Sequence, residues 1–315
     1  MVFRNPHVAH AAFALCFGLF APFAGCSSES SGGDATGGKS SGGASSGTQG
    51  TFTVQLTEAA ADGSSPARTN VLGIIFDGPS PPTIQLKLDS KNGDCELLVP
   101  FSPFCNPACT NAAICTADNT CTPQPKALDV GTVKLTGLGA ELTLTPIASN
   151  YQSPTLPLPS CAEGSPVAVS ADSFSMESKC ISPLVLTTAV PVPVASGKAI
   201  PLAWTPPGAG AASRIRVHLD IAHHGGKKGE INCDVADTGS FSIPEPLVTK
   251  LVSLGLAGFP TIGLERYTSG SAASNANIKL RVSSAIEREV DTGITSCNSD
   301  EECNGKTCAS DKTCK

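Results

Sequence analysis

The chain has 315 residues, with 21 Lys and Arg against 27 Asp and Glu, and carries a net charge of −6. That mild acidity, with no basic tract, excludes a nucleic-acid ligand, whose phosphates require clustered cations. The 31 Gly and 25 Pro, with aromatic residues at 5%, favour strands and turns over helices.

In chain order, residues 1–25 read as a secretory signal. Arg4 precedes an apolar core from Val8 to Phe23 that is too short to remain as a membrane-spanning helix. Small residues lead directly to a cysteine in Phe23-Ala24-Gly25-Cys26. This stretch resembles the bacterial lipobox, usually Leu-Ala-Gly-Cys, with Ala24, Gly25 and Cys26 matching and Phe23 standing where an aliphatic residue is usual. The resemblance implies cleavage before Cys26 and acylation of its thiol, with the membrane as a partner through that lipid. Acyl chains contribute about 0.8 kcal/mol per buried methylene, so several would hold the protein durably. Ser27 in place of the Asp that signals inner-membrane retention implies the outer membrane, on its periplasmic side or at the cell surface. Ordinary signal cleavage nearby is the alternative.

Residues 26–50 read as the lipidated cysteine and a tether. From Ser27 to Gly50 there are eight Ser and eight Gly and no large apolar side chain. Such a coil has a reach of about 27 Å and builds no core. Gly43-Ala44-Ser45-Ser46-Gly47 matches the nucleophile-elbow pattern, but that motif requires a strand before it and a helix after it, and the tract offers neither.

The remaining 265 residues are expected to form an all-β, mainly antiparallel, β-sandwich-like body with one short helix and two small disulfide-rich loop modules. We divide them into a β-rich lobe at 51–160 with a Cys-rich insertion at 95–121, a second lobe at 161–292, and a terminal module at 293–315. Strands are expected at Thr51–Leu56, Val71–Phe76 and Thr83–Leu88, with Ile84, Leu86 and Leu88 on one face of the last. A hairpin is expected from Val130–Leu135 and Glu141–Leu144. The prolines of Val190–Pro207 indicate an edge or crossing segment anchored by Trp204. The clearest strand is Arg214–Ile221, with Ile215, Val217, Leu219 and Ile221 on one face and Arg214, Arg216, His218 and Asp220 on the other. Glu230–Val235 and Ser240–Ile243 follow. Pro246 opens a helix near 246–255 with a Leu247, Leu251, Leu254 stripe and Gly255 as its stop. Thr261–Tyr267 and Ile278–Val282 complete the body.

Of the fourteen cysteines, Cys16 lies in the signal and Cys26 at the lipid site. The other twelve, in an exported chain, are expected to be disulfides: Cys95, Cys105, Cys109, Cys115, Cys121, Cys161, Cys180, Cys233, Cys297, Cys303, Cys308 and Cys314. Cys115-Thr-Ala-Asp118-Asn-Thr-Cys121 echoes Cys308-Ala-Ser-Asp311-Lys-Thr-Cys314, which points to one small module used twice. The terminal four can pair among themselves, but Cys95 to Cys121 holds five, so one must reach Cys161, Cys180 or Cys233. Among the connectivities that spacing leaves open, we expect Cys95 with Cys233 and Cys161 with Cys180. A zinc site in either cluster is disfavoured by the lack of paired C-x2-C knuckles.

Residues 51–290, through Gly93-Asp94-Cys95 to Cys121 and Gly229-Glu230-Ile231-Asn232-Cys233-Asp234, resemble uncharacterised lipoproteins of myxobacterial type. The terminal cluster is similar in spacing to Dickkopf-like and EGF-like cysteine-rich modules, which implies binding. Neither resemblance carries an activity.

His218, Asp220, His223 and His224 form the densest set of metal-ligand types, with a solvated strand face and polar turn as the plainer reading. Asp234 and Asp237 flank a turn and read as turn formers. No Ser/His/Asp order, paired carboxylates or phosphate loop is present, and no cofactor is implied. The leading reading is a non-catalytic envelope lipoprotein presenting a stapled β body for binding, adhesion or scaffolding, with a protein or extracellular ligand as its partner. An envelope hydrolase whose site is scattered across strands, or a periplasmic metal binder using His218 to His224, are the alternatives.

Overall fold

The computed structural model describes residues 47–59, 64–79, 85–110, 112–208 and 212–315. The signal, Cys26 and most of the tether lie outside the described residues. The chain starts with β1 (Gln49–Thr57), β2 (Arg68–Phe76), β3 (Leu86–Asn92) and β4 (Cys95–Pro100), then a small hairpin of β5 (Ile114–Cys115) and β6 (Cys121–Thr122). Next come β7 (Val133–Leu138), β8 (Ala140–Leu144), β9 (Asn150–Gln152), β10 (Pro166–Ala171), β11 (Phe174–Lys179), β12 (Val192–Pro193) and β13 (Ile200–Ala203). The last part holds β14 (Arg214–Asp220), β15 (Glu230–Ala236), β16 (Ser240–Ile243), helix α1 (Glu245–Ser253), β17 (Thr261–Ala272), β18 (Asn275–Asp291) and a 3-10 turn at Asp300–Cys303.

A ten-stranded sheet organises the fold, in the order β3-β4-β15-β14-β17-β18-β1-β2-β9, with β12 also paired to β18. Its ladders are antiparallel except β1–β18 and β12–β18. A four-stranded sheet, β11-β10-β7-β8, packs on the β1, β2 and β18 part, and β13–β16 with α1 cover the β14–β15 part. The body is all β and sandwich-like, with one short helix.

Both cores lie on one face of the large sheet, because the alternate residues of β18 feed them in turn. Leu280 and Val282 pack with Phe52, Val54, Val167 and Phe174, while Ile286 and Val290 pack with Ile215, Val217, Trp204 and Leu251. Each such side chain, fully buried, contributes about 1.5–3 kcal/mol. Between the two cores on that face stand Arg266 and Ser284, both 1% exposed. Backbone also approaches backbone where β11 crosses β17: a Cβ on Gly270 would fall 1.7 Å from the Glu177 carbonyl oxygen, so only glycine fits.

Several expectations are corrected. The cores do not divide at residue 160, since Val167, Phe174 and Cys180 join the core of Phe52, while Cys95 and Leu97 join that of Ile215. Strand pairing between distant segments overrides chain order. The tether ends earlier than Gly50, because Gln49 and Gly50 already belong to β1. Of the third expected strand, Thr83 and Ile84 lie outside the described residues; β3 spans Leu86–Asn92, and Leu88 is 55% exposed whereas Gln85 is buried. There the register slips at Asp89, a bulge that suits an edge strand carrying Lys87, Asp89 and Lys91. Leu254 caps α1 at 38% exposure, and Leu247, Val248 and Leu251 form the buried stripe. Gly255 adopts φ +96° beyond it, a conformation glycine reaches without strain.

Candidate functional site

Strand β14 sits between β15 and β17, so its outward side chains meet partners on both flanks. His218 Nδ1 and Asn232 Oδ1 are 2.7 Å apart, and Asn232 Nδ2 donates to Glu230 Oε1 at 2.9 Å. The Lys227 ammonium bridges Glu230 and Asp220, 3.5 Å from the Asp220 carboxylate, which also accepts Ala222 N–H at 2.9 Å. Burial works against the Lys227 charge, but the Glu230 hydrogen bond and the charges of Glu230 and Asp220 outweigh it and lift the ammonium above its usual 10.5.

A second cluster centres on Tyr267, which is 8% exposed. The Arg281 guanidinium lies 3.7 Å from its ring centroid and the Arg216 guanidinium 5.5 Å. The Tyr267 hydroxyl donates to Asp234 at 2.5 Å, Arg214 donates to Asp234 at 2.6 Å, and Arg281 grips Glu265 through two bonds of 2.8 and 2.7 Å. Burial and the Asp234 carboxylate push the Tyr267 hydroxyl above its usual 10.0, only partly offset by Arg281 and Arg216. The outer face is therefore a rigid mosaic of compensated charges.

This geometry does not gather the four expected metal ligands. His218 is engaged by Asn232 and Asp220 by Lys227, while His223 and His224 turn to each other with ring centroids 4.0 Å apart. The described groups of three ligand atoms within 4.8 Å of one another are Cys105, Cys109, Cys121 and Cys297, Cys303, Cys308. All of those sulfurs are consumed in disulfides.

Reading Asp234 and Asp237 as turn formers is also corrected. Asp234 lies within β15. Asp237 accepts from Trp204 Nε1 at 2.7 Å, Ser213 Oγ at 2.7 Å and Arg266 Nε at 2.6 Å, in the polar belt between the cores. Arg266 further donates to the carbonyls of Pro183 and Thr205. A lone Arg in a strand reads by its residue type as solvent-facing, which hid its burial. Its even-numbered place beside Ile262 and Leu264 was the available clue.

Among the described residues the disulfides are Cys95–Cys233, Cys105–Cys115, Cys109–Cys121, Cys161–Cys180, Cys297–Cys308 and Cys303–Cys314. Cys95–Cys233 joins directly opposed residues of β4 and β15 inside the core. Within each four-cysteine cluster, first pairs with third and second with fourth.

The echoing loops share one geometry as well as one pairing. Thr116 N–H donates to Thr120 O at 2.9 Å, as Ala309 N–H does to Thr313 O at 2.9 Å. Asn119 and Lys312 adopt φ 59° and 61°. Asp118 accepts Thr120 Oγ1 at 2.7 Å, and Asp311 accepts Thr313 Oγ1 at 2.7 Å. These bonds hold the Asp118 carboxyl below its usual 3.8, with Thr116 the larger cause and Thr120 the second. Lys315 first, and Thr313 next, do the same for Asp311.

Their surroundings differ. The terminal knot is docked on the body, with Cys297, Cys303 and Thr313 buried and Gly258 N–H donating to the Asp311 carbonyl at 2.7 Å. The inserted knot stands out, with Asp118, Asn119, Thr120 and Cys121 exposed. Phe104, directly before it, is 76% exposed, and Asn106, Pro107, Asn119 and Cys121 line an open depression of about 570 Å³.

No family model matches this chain, and no curated protein does. Among solved structures, the chicken CNTN1 FN1-FN3 domains align at 9% identity over 74% of this chain and 84% of that one, with a TM-score of 0.20. A likeness that loose carries no argument about fold or function.

Proposed function

We propose that the protein is a non-catalytic cell-envelope lipoprotein, held at the outer membrane through an acylated Cys26, whose disulfide-stapled β body presents the Cys105–Cys121 knot for binding. The observation that carries this reading is the pair of matched knots. One is folded onto the body and serves its packing, and the other is displayed with its loop, its depression and Phe104 open to solvent. Small disulfide knots have too little apolar core to hold their shape without bridges. Bridged as it is, the inserted knot offers a preorganised surface whose ordering cost is already met before a partner arrives. The Cys-to-Gly/Ser sequence at the N-terminal end supports a tether that lifts this body off a lipid surface.

The test is the intact mass of the protein extracted from the membrane fraction of its native host, before and after reduction. Acyl chains on a chain beginning at Cys26, with every later cysteine bridged, is the expected result. A soluble product lacking Cys26, or one with free thiols, overturns the reading.

A further inference from the structure

We infer that the outer face of β18 is a self-association surface, on which a second copy of this chain docks with its own β18 reversed. The charge pattern of the strand carries the inference. On the outward side, Arg281 and Lys279 stand four and six residues before Ala285, while Glu289 and Asp291 stand four and six residues after it. Alternation along the strand keeps all five on one face. One half of that face is cationic and the other anionic, at equal spacing from one small side chain. A twofold axis through Ala285, across the strand, therefore sets Arg281 opposite the second copy's Glu289 and Lys279 opposite its Asp291, and does so twice.

The acidic half lies beyond the compensated mosaic around Tyr267. Ala285, Glu287, Glu289 and Asp291 are exposed, and among the described residues no ion pair joins these three carboxylates to a cation. On the cationic half, Arg281 grips Glu265 through Nε and Nη2, which leaves Nη1 for a second carboxylate. The relief at the centre is low. Ala285 offers a single carbon, and Gly263 stands opposite Glu287 on β17 with none. Two such faces can approach to the roughly 10 Å of stacked sheets, a gap that Arg, Lys and Glu side chains span from the two sides. A partner of one charge would match half of this pattern, whereas a reversed copy matches both halves. The contact is polar, so the dimer is reversible and sensitive to salt.

The test places one thiol at the axis. The full-length protein carrying Ala285→Cys is treated with a short bis-maleimide in membranes isolated from its host, with Ile147→Cys, exposed elsewhere, as the control. A cross-linked product of twice the chain mass is expected from position 285 and not from position 147. Its yield should fall several-fold between about 0.1 M and about 1 M salt, as the screening length shrinks from about 10 Å to about 3 Å. Adding Glu289→Arg and Asp291→Lys, both at exposed positions, should abolish it. No dimer, equal yields from the two positions, a cross-link to a different protein, or a yield indifferent to salt and to the two reversals overturns the inference. Each of those results leaves the reading of the inserted knot where it stands.

Discussion

Arg266 and Asp237 form an ion pair 2.6 Å long in which the two side chains are 1% and 0% exposed. The pair closes the gap between the two cores on one sheet face, and Asp237 ties it to Trp204 and Ser213. Removing one partner strands the other charge in a dry site. Asp237→Ala is expected to cost about 3–5 kcal/mol in urea unfolding, while Asp237→Leu with Arg266→Met together cost much less. Equal losses in both variants would mean that packing, not charge, dominates the belt.

Both tyrosines ionise above the ordinary 10.0, Tyr151 chiefly through burial and Tyr267 through burial and the Asp234 carboxylate. For an acid whose folded value is raised, the unfolded chain loses its proton first. The stabilisation is present below pH 10 and is lost as pH rises from there through the folded value. Ultraviolet titration should show less phenolate in the native protein at pH 10 than in the unfolded chain. Asp234→Asn should bring the Tyr267 transition to lower pH.

Gly270 lets β11 cross β17 at backbone distance. Gly270→Ala is expected to lower stability by at least about 1–3 kcal/mol, the usual range for forced overpacking. Gly78→Ala, where nothing lies within 4 Å of the added carbon, should be nearly neutral in the same thermal melts.

Cys95–Cys233 closes a separation of 138 residues, against 12 for Cys109–Cys121. Loop-closure entropy then makes its removal by Cys95→Ala with Cys233→Ala cost about 4–5 kcal/mol, against about 3 kcal/mol for the short bridge. Accessibility runs the other way: Cys95 is 0% exposed and Cys233 2%, while Cys121 is exposed. Under limiting reductant, mass mapping should find Cys109–Cys121 open before Cys95–Cys233.

Strand β14 was legible because its alternation is unbroken, and the bridges Cys95–Cys233 and Cys161–Cys180 are the pairing expected among those that parity left open. The β10–β11 hairpin was not read, although Val167, Val169, Phe174 and Met176 alternate, because the intervening Ala and Ser dilute the contrast. Only Ile278–Val282 was expected where β18 runs to Asp291, since Ser283, Ser284 and Arg288 mask a strand whose burial is partly polar. The twofold use of one knot was visible in Asp118 and Asp311. That one copy would be docked and the other displayed was not, because it depends on which distant surface each knot meets, such as Gly258 beside Asp311.

Strand β1 enters the large sheet at its interior, in parallel register with β18 from Gly50–Ile278 to Leu56–Ser284 and antiparallel to β2 along its whole length. A pull delivered through residue 47 runs along β1. The ladder bonds on both flanks lie across that direction and resist together in shear, instead of peeling apart one after another. Whatever restrains this chain by its N-terminal end grips it by a strand that is paired on both flanks.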